Sequence, residues 1–160
     1  MQNETFAALL AGPLFVMAFP LFWCSICWML ARVGGWYRWA EAYPDSRGHR
    51  GTRKWMVSAF FPYCRYNGTL VLSADSEALT LSQILPFRFG HHPVRLPWGE
   101  LTVTKDRSWF GDRVTLEADK VPGLKMTMYQ SAYESVSQGV EAAPRPGETD
   151  TPTSSRPQSP

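Results

Sequence analysis

The stretch Phe6–Ala31, FAALLAGPLFVMAFPLFWCSICWMLA, contains no charged side chain. Runs of about 18 or more apolar residues are typical of membrane-spanning helices, because about 20 helical residues cross the ~30 Å hydrocarbon layer. Within this stretch we expect the span to run from Pro13 to Arg32, since proline is tolerated in a first helical turn. The sequence therefore predicts a short N-terminal tail and a transmembrane helix within residues 1–35.

The residues on either side of the apolar run predict how it is oriented. The preceding MQNET has no Lys or Arg, and the run is longer than the roughly 7–15 residues of a signal-peptide core. Between Arg38 and Arg65 there are six basic and two acidic residues, an excess of four positive charges. Because basic flanks stay in the cytoplasm, we expect a single-pass protein, with its N-terminus outside and the following domain cytoplasmic.

Three aromatic residues come directly after the apolar run, at Trp36, Tyr37 and Trp39. Rings with a polar edge settle where hydrocarbon meets water. These three residues are therefore predicted to lie at the membrane interface. They begin an aromatic and basic juxtamembrane linker at residues 36–54.

Residues 55–140 show the pattern of a small β domain. Leu70 and Leu72 alternate with other residues, and Leu79 and Leu81 do the same after a turn, which predicts a hairpin with one buried face. The period of two continues in five further groups: Leu85, Phe87, Phe89; Val94, Leu96, Trp98; Leu101, Val103; Val114, Leu116; Leu124, Met126, Met128.

The end of this domain and the chain terminus differ from the strands. Ser131 and Glu134 have the spacing of a capping box, which predicts a C-terminal helix with Ser131 as its N-cap and Glu134 at position N3. Residues 141–160 contain five prolines and no aromatic residue, which predicts a disordered tail. The predicted fold class is thus an N-terminal transmembrane helix followed by a small α+β, mainly antiparallel β domain with a C-terminal helix.

Four short motifs of this chain match a known group of proteins. They are Trp39-Ala40-Glu41-Ala42-Tyr43, Leu79–Ser82, Pro86–Pro93 and Leu96-Pro97-Trp98. Over roughly residues 30–136 the chain resembles uncharacterised bacterial single-pass membrane proteins with a PH/GRAM-like β domain. It departs from that pattern at Arg95, where an apolar residue is expected, and at His92, where proline is expected. The resemblance implies a partly open barrel of the pleckstrin-homology (PH) or GRAM type and a bacterial inner membrane as the location, and it implies no activity.

Residues with catalytic or metal-binding chemistry are sparse. Cys24 and Cys27 have a C-x-x-C spacing, but they lie inside the apolar run, where polar partners for redox or metal chemistry are absent. His49 stands apart from His91 and His92, and neighbouring strand residues point to opposite faces, so a metal site is disfavoured. Phosphate-loop and nucleophile-elbow motifs are missing from the sequence. We therefore expect no catalytic residue, no cofactor and no enzymatic activity.

Two groups of side chains are candidates for binding lipid or a protein partner. The first is basic and comprises Arg47, Arg50, Arg53, Lys54, Arg88 and Arg95. Each basic residue near an anionic leaflet contributes about 1 kcal/mol of attraction; the alternative is that these charges only set topology. The second group is Trp109 and Phe110, which either contact lipid or a partner or fold back onto the domain. A basic face with interleaved aromatic residues is missing, so nucleic acid is not an expected partner.

Three functions are compatible with the sequence. The first is a non-catalytic membrane-anchored adaptor or binding module at the cytoplasmic face, which contacts lipid headgroups or a membrane protein partner. The second is an accessory subunit of a larger membrane complex, held through small residues of the transmembrane helix. The third is a small enzyme of a class that the sequence does not reveal, for which a pocket with converging polar groups would be the sign.

Overall fold

The computed structural model describes residues 2–107 and 111–138, with side chains from Gly12 onward. It contains an apolar N-terminal helix, seven antiparallel strands in a nearly closed, barrel-like sheet, and a C-terminal helix, which confirms the predicted fold class. The helices are α1 (Gln2–Val33), α2 (Trp36–Ala42) and α3 (Gln130–Ser137). The strands are β1 (Thr52–Phe61), β2 (Cys64–Ala74), β3 (Ala78–Gln83), β4 (Val94–Pro97), β5 (Leu101–Asp106), β6 (Arg113–Ala118) and β7 (Lys125–Tyr129).

Helix α1 extends upstream of the predicted span Pro13–Arg32, which lies within the candidate span Gly12–Val33. It begins at Gln2 and passes through both Pro13 and Pro20. The residues before Pro13 include two alanines and two leucines in succession, AALL, which are strong helix formers and extend the helix upstream. The part Gly12–Val33 is long and apolar enough to cross a membrane, and only 11% of its most apolar window is buried. Most of the surface of Gly12–Val33 is therefore not covered by the rest of the described chain.

The sheet consists of two meanders joined edge to edge. Its strand order is β4-β3-β2-β1-β7-β6-β5, and every neighbouring pair is antiparallel. The two meanders meet where Ala59 of β1 pairs with Met128 of β7. β4 and β5 form the two edges, and a 3-10 turn at Trp98–Glu100 connects them. Pro97 lies on the β4 edge, as expected for a residue that cannot donate to a strand ladder.

The interior of the sheet is filled by aliphatic side chains and closed by two helices. From β2 and β3 the inward residues are Leu70, Leu72, Leu79 and Leu81, all fully buried. α3 contributes Tyr133 and Val136. Its N-cap is Tyr129 rather than the predicted Ser131 and makes no side-chain cap, and the side-chain amide of Gln130 donates to the Glu134 carboxylate one turn on.

Helix α2 closes the sheet with Trp36 and Trp39, whose side chains are both completely buried. The prediction that residues 36–54 form a linker is therefore wrong for the α2 part. The chain can turn sharply from α1 into α2 because Gly35 adopts a left-handed conformation, with φ +88°, that other residues disfavour. A Cβ at Gly35 would also lie 2.8 Å from Leu124. The turn thus brings α2 directly into the core.

The polar stretch after α2 packs on the outer face of the sheet. The two ring nitrogens of His49 bond the hydroxyls of Ser73 and Ser82, at 2.9 and 2.6 Å. Burial, followed by the charge of Arg53, lowers the pKa of His49. Gly51 has φ +74° and leaves no space for a Cβ against the carbonyl of Ala74. This part of the predicted juxtamembrane linker therefore covers β2 and β3.

Candidate membrane-facing site

The connection between β3 and β4, residues 84–93 (the 84–93 loop), lies along α1. The sequence predicted a strand through Leu85, Phe87 and Phe89, and this prediction is wrong. Instead, Leu85–Phe87 form a 3-10 turn, in which the N–H of Phe87 bonds the carbonyl of Ile84. Proline favours this outcome, since Pro86 has no N–H for a strand ladder and its fixed φ suits a first helical turn.

The 84–93 loop is attached to α1 by specific contacts. The indole N–H of Trp23 donates to the carbonyl oxygen of Pro86 at 2.6 Å, and the rings of Trp23 and Phe87 lie 5.4 Å apart. At Gly90, with φ +76°, a Cβ would come within 2.9 Å of the Trp28 Cα. The loop and the helix backbone therefore meet closely at a position that requires glycine.

The 84–93 loop extends the exposed apolar surface of α1 and does not cover it. The exposed fraction is 82% for Leu85 and 61% for Phe89. Between Phe89 and the helix runs an apolar groove of about 620 Å³. Its lining residues are Pro20, Leu21, Cys24, Ser25, Trp28, Met29 and Phe89. The result is a single nonpolar surface shared by an apolar helix and a β-domain loop.

A buried aromatic cluster holds the end of the 84–93 loop against the start of α2. The Trp36 indole N–H donates to the carbonyl of His92 at 2.8 Å. His91 Nδ1 lies 3.2 Å from the Phe89 carbonyl and so carries the proton, which leaves Nε2 to accept from the Tyr66 hydroxyl at 3.0 Å. Burial lowers the pKa of His91 and raises the pKa of Tyr66, so both side chains stay neutral.

The predicted interfacial aromatic belt is wrong for two of its three members. Trp36 and Trp39 are inside the domain, because the Gly35 turn directs α2 under the sheet. Tyr37 is half-buried, and the guanidinium of Arg32 lies 4.0 Å from its ring centroid. Of the three residues, only Tyr37 keeps the partial exposure that an interfacial position needs.

Arg95, predicted to contact lipid or a partner, is held in an ion-pair network within the domain, and its contact with lipid or a partner stays a prediction. Its guanidinium makes two bonds to Asp75, at 2.9 and 3.2 Å, and one to Glu77 at 3.1 Å. Arg95 is only 12% exposed, whereas Arg47, which bonds the same Glu77 at 3.0 Å, is 58% exposed. Partial burial acts to raise the Asp75 pKa, but the bonds from Arg95 and from two backbone N–H groups outweigh it and lower the pKa.

The remaining basic candidates lie on the surface. Arg50, Arg53 and Arg88 are exposed and Lys54 is half-buried. Arg53 stacks over the Trp55 ring, 5.6 Å from its centroid. Arg88 is the one basic candidate within the 84–93 loop itself. A role of these four residues in headgroup contact stays a prediction.

The second candidate group, Trp109 and Phe110, lies outside the described residues, as does the tail 141–160.

The described part of the chain contains no grouped metal ligands and no disulfide. Within residues 2–107 and 111–138, no three His, Cys, Asp or Glu side chains are grouped so that they could hold a metal ion. Cys24, Cys27 and Cys64 are all free thiols. The arrangement can therefore provide apolar contact from α1 and the 84–93 loop, with positive charge beside it.

Comparison of the chain with protein-family models, with curated proteins and with solved structures finds no match. The likeness to PH/GRAM-like membrane proteins therefore stays an expectation from the sequence.

Sequence reasoning missed the residues that build this site, chiefly Trp23, Trp28, Leu85 and Phe89. One signal was available: the segment Leu85-Pro86-Phe87-Arg88-Phe89 is apolar and carries a single basic residue between two phenylalanines. That composition is typical of a loop that lies in a membrane interface, where aromatic rings and Arg settle together. Its docking on α1 joins residues 63 positions apart and leaves no local pattern.

Proposed function

We propose that this chain is a single-pass membrane protein that fixes a non-catalytic, barrel-like binding module against the cytoplasmic face of a bilayer. In this function α1 is the anchor, and the 84–93 loop enters the lipid interface beside it. The module acts as an adaptor, and its outward surfaces contact lipid headgroups or a membrane protein partner.

The observation that carries the proposal is the hydrogen bond from Trp23 to the carbonyl of Pro86. Trp23 belongs to the charge-free run of α1, so any bilayer that α1 crosses also receives the loop bonded to it. The high exposure of Leu85 and Phe89 has a physical reason in this setting, because these side chains would meet lipid rather than water.

The loop also refines which part of α1 crosses the hydrocarbon. The charge-free run of 26 residues is about 39 Å long, which exceeds the ~30 Å layer by about six residues. Arg88 and the irregular backbone of the loop cannot lie in hydrocarbon at low cost. The crossing segment is therefore shifted toward the N-terminus, to about residues 6–25, rather than Pro13–Arg32.

With residues 6–25 as the crossing segment, the tryptophans at the membrane interface differ from those that the sequence predicted. Trp23 and Trp28 lie at the level of the 84–93 loop, and Trp28 is 52% exposed. Indole rings are enriched at this depth of a membrane. Trp23 and Trp28 thus take the interfacial role that was assigned to Trp36 and Trp39.

Charge and strand order support the rest of the proposal. The exposed residues Arg32, Arg38, Arg50 and Arg53 follow the crossing segment and favour a cytoplasmic domain. Two meanders closed by β1 and β7, with a final helix, are compatible with a PH/GRAM-like barrel. Such barrels are binding scaffolds on which function is set by the surface, so fold alone assigns no ligand.

Anchoring and loop depth are tested together with the full-length chain in proteoliposomes. A Leu85→Cys variant should react slowly with a water-soluble maleimide, because residue 85 lies among lipid. The matched control is Ser76→Cys, at an exposed turn on the far side of β3, which should react fast; the wild-type chain gives the background of its own thiols. Equal rates at the two positions would refute immersion of the loop. Recovery of the chain in the soluble fraction of cells would refute anchoring itself.

A further inference from the structure

The groove between α1 and Phe89 is a binding site whose occupant can be argued from its shape and its charge. It is bounded by the helix on one side and by the 61% exposed Phe89 ring on the other. Pro20 and Met29, at its two ends, are nine residues apart, which is about 14 Å along a helix. With residues 6–25 as the crossing segment, Pro20–Cys24 lie in the hydrocarbon and Trp28 and Met29 lie beyond it, so the groove runs from the hydrocarbon into the interface.

The floor of the groove is shaped by small side chains. Cys24 and Ser25 lie between the larger Leu21 and Trp28, so the helix surface is recessed there. The hydroxyl of Ser25 bonds the carbonyl of Leu21 at 2.8 Å, so it presents no free donor to the groove. The recess therefore suits an unbranched apolar chain better than a polar ligand.

One end of the groove carries a positive charge. The guanidinium of Arg32 lies 4.9 Å from the centroid of the Trp28 ring, and Trp28 lines the groove. It also lies over the Tyr37 ring, so two rings hold the charge in place. In the part of the chain that the structure describes, no carboxylate lies within ion-pair distance of Arg32. The charge is thus fixed and open to an external anion.

We infer that the groove binds one anionic glycerophospholipid, with an acyl chain between α1 and Phe89 and the phosphate on Arg32. A phospholipid has both an apolar chain and an anion, whereas a partner's apolar helix would leave Arg32 without a counter-charge. This inference rests on the proposed membrane anchoring and names the ligand of that same surface. The site makes the lipid a resident component that fills the space between the anchor and the barrel.

The test uses the full-length chain, extracted in mild detergent and analysed by native mass spectrometry during titration with phosphatidylglycerol. Wild type should retain one phospholipid per chain. Ser25→Trp should lose it, because the indole fills the groove. Arg32→Gln should weaken retention roughly fivefold, the value of one basic residue beside an anionic lipid. The matched control is Phe15→Trp, at an exposed position of α1 that does not line the groove, and it should bind like wild type.

The outcomes separate this site from the proposed function. Equal retention by wild type and Ser25→Trp would overturn the site, and so would a second polypeptide found in place of lipid. A chain that fractionates with membranes but retains no phospholipid would overturn the lipid site and leave the anchored module standing. A chain found in the soluble fraction would overturn both.

Discussion

The two ends of strand β2 are stabilised by opposite kinds of chemistry. At the Cys64 end, rings and glycine contacts join the sheet to α2 and to the turn before it: a Gly34 Cβ would lie 2.8 Å from the Cys64 Cβ, and Tyr66 packs edge-on against Trp36. At the Ala74 end, the turn to β3 is held by the ion pair of Asp75 with Arg95. We call these the ring end and the ion-pair end.

The chemistry of each end suits the medium that it would contact, which is lipid for the ring end and water for the ion-pair end. Ion pairs tolerate water around them and are costly to place beside lipid, whereas ring contacts lose nothing in a nonpolar setting. The ring end lies at the exit of an apolar helix, and the ion-pair end is separated from it by the length of β2. The domain is thus built with one side suited to a membrane and the other to an aqueous medium.

The largest expected effect on the free energy of unfolding comes from removing the Trp36 side chain at the ring end. Trp36→Ala should lower the free energy of unfolding by about 4 kcal/mol, since it removes a fully buried indole and its bond to His92. Denaturant unfolding of the full-length chain in micelles, followed by near-UV circular dichroism, measures this loss. Trp28→Ala, on the exposed side of α1, should cost about 0.5 kcal/mol or less. Similar losses in both variants would contradict the distinction between the two tryptophans.

The next effect concerns the ion-pair end. Arg95→Ala should cost about 3 kcal/mol, because it leaves Asp75 partly buried without its counter-charge. Arg47→Ala should cost at most about 1 kcal/mol, because its bond to Glu77 is exposed to solvent. The same unfolding measurement compares the two arginines. A loss for Arg47→Ala as large as that for Arg95→Ala would show that burial does not govern this network.

A smaller effect is expected at the turn between α1 and α2. Gly35→Ala should cost about 2 kcal/mol, since it combines an unfavourable positive φ with contact to Leu124. Gly48→Ala is the matched control: it has a positive φ, +75°, but its Cβ would meet open space, so about 1 kcal/mol is expected. Equal costs would mean that the Leu124 contact relaxes freely.

The smallest effects are changes in the free energy of unfolding with pH, and the pH range of these changes differs between the two ends. Burial lowers the His91 pKa, so the ring end is at full stability above the ordinary histidine value and loses stability as pH falls through the lowered pKa. His49 contributes in the same window. Asp75 also has a lowered pKa, so the ion-pair end weakens only in stronger acid, as pH falls from the ordinary aspartate value through the lowered one. Unfolding free energy should therefore decline in two stages.

A His49→Gln variant separates the contributions to the first stage. It should keep part of the decline, because His91 still titrates at the ring end. Complete loss of the first stage in this variant would assign it to His49 alone. The second stage should be reduced in Arg95→Ala, because the bonds that lower the Asp75 pKa are then missing.

The elements whose sequence shows a local periodic or apolar pattern could be predicted from sequence. The alternation of Leu70 and Leu72 with other residues, and of Leu79 and Leu81, predicted the hairpin that the structure contains. The charge-free run predicted α1, and the predicted span Pro13–Arg32 agrees within one residue at each end with the candidate span Gly12–Val33, although the helix itself continues upstream to Gln2. Period and hydropathy are properties of neighbouring residues, so sequence alone reveals them.

The candidate site depends on contacts between distant residues, which local patterns do not predict. Trp36 and Trp39 after an apolar run are typical of an interfacial belt, and only the conformation of Gly35 decides that they enter the core. Arg95 is basic and near a turn, and its partner Asp75 is 20 positions away. The predicted strand at Leu85 fails because Pro86 bonds to α1 instead of to a neighbouring strand.

Only Gly34 and Gly35 separate α1 from α2, and both are fixed by packing. A module on a long flexible tether explores a hemisphere around its anchor and captures partners that approach at many heights and angles. This one, once α1 is in a bilayer, has no such reach. It turns only as its anchor turns, at one height, so its encounters take place by lateral diffusion in two dimensions. A flexible insertion between Val33 and Trp36 would convert a search over an area into a search over a volume.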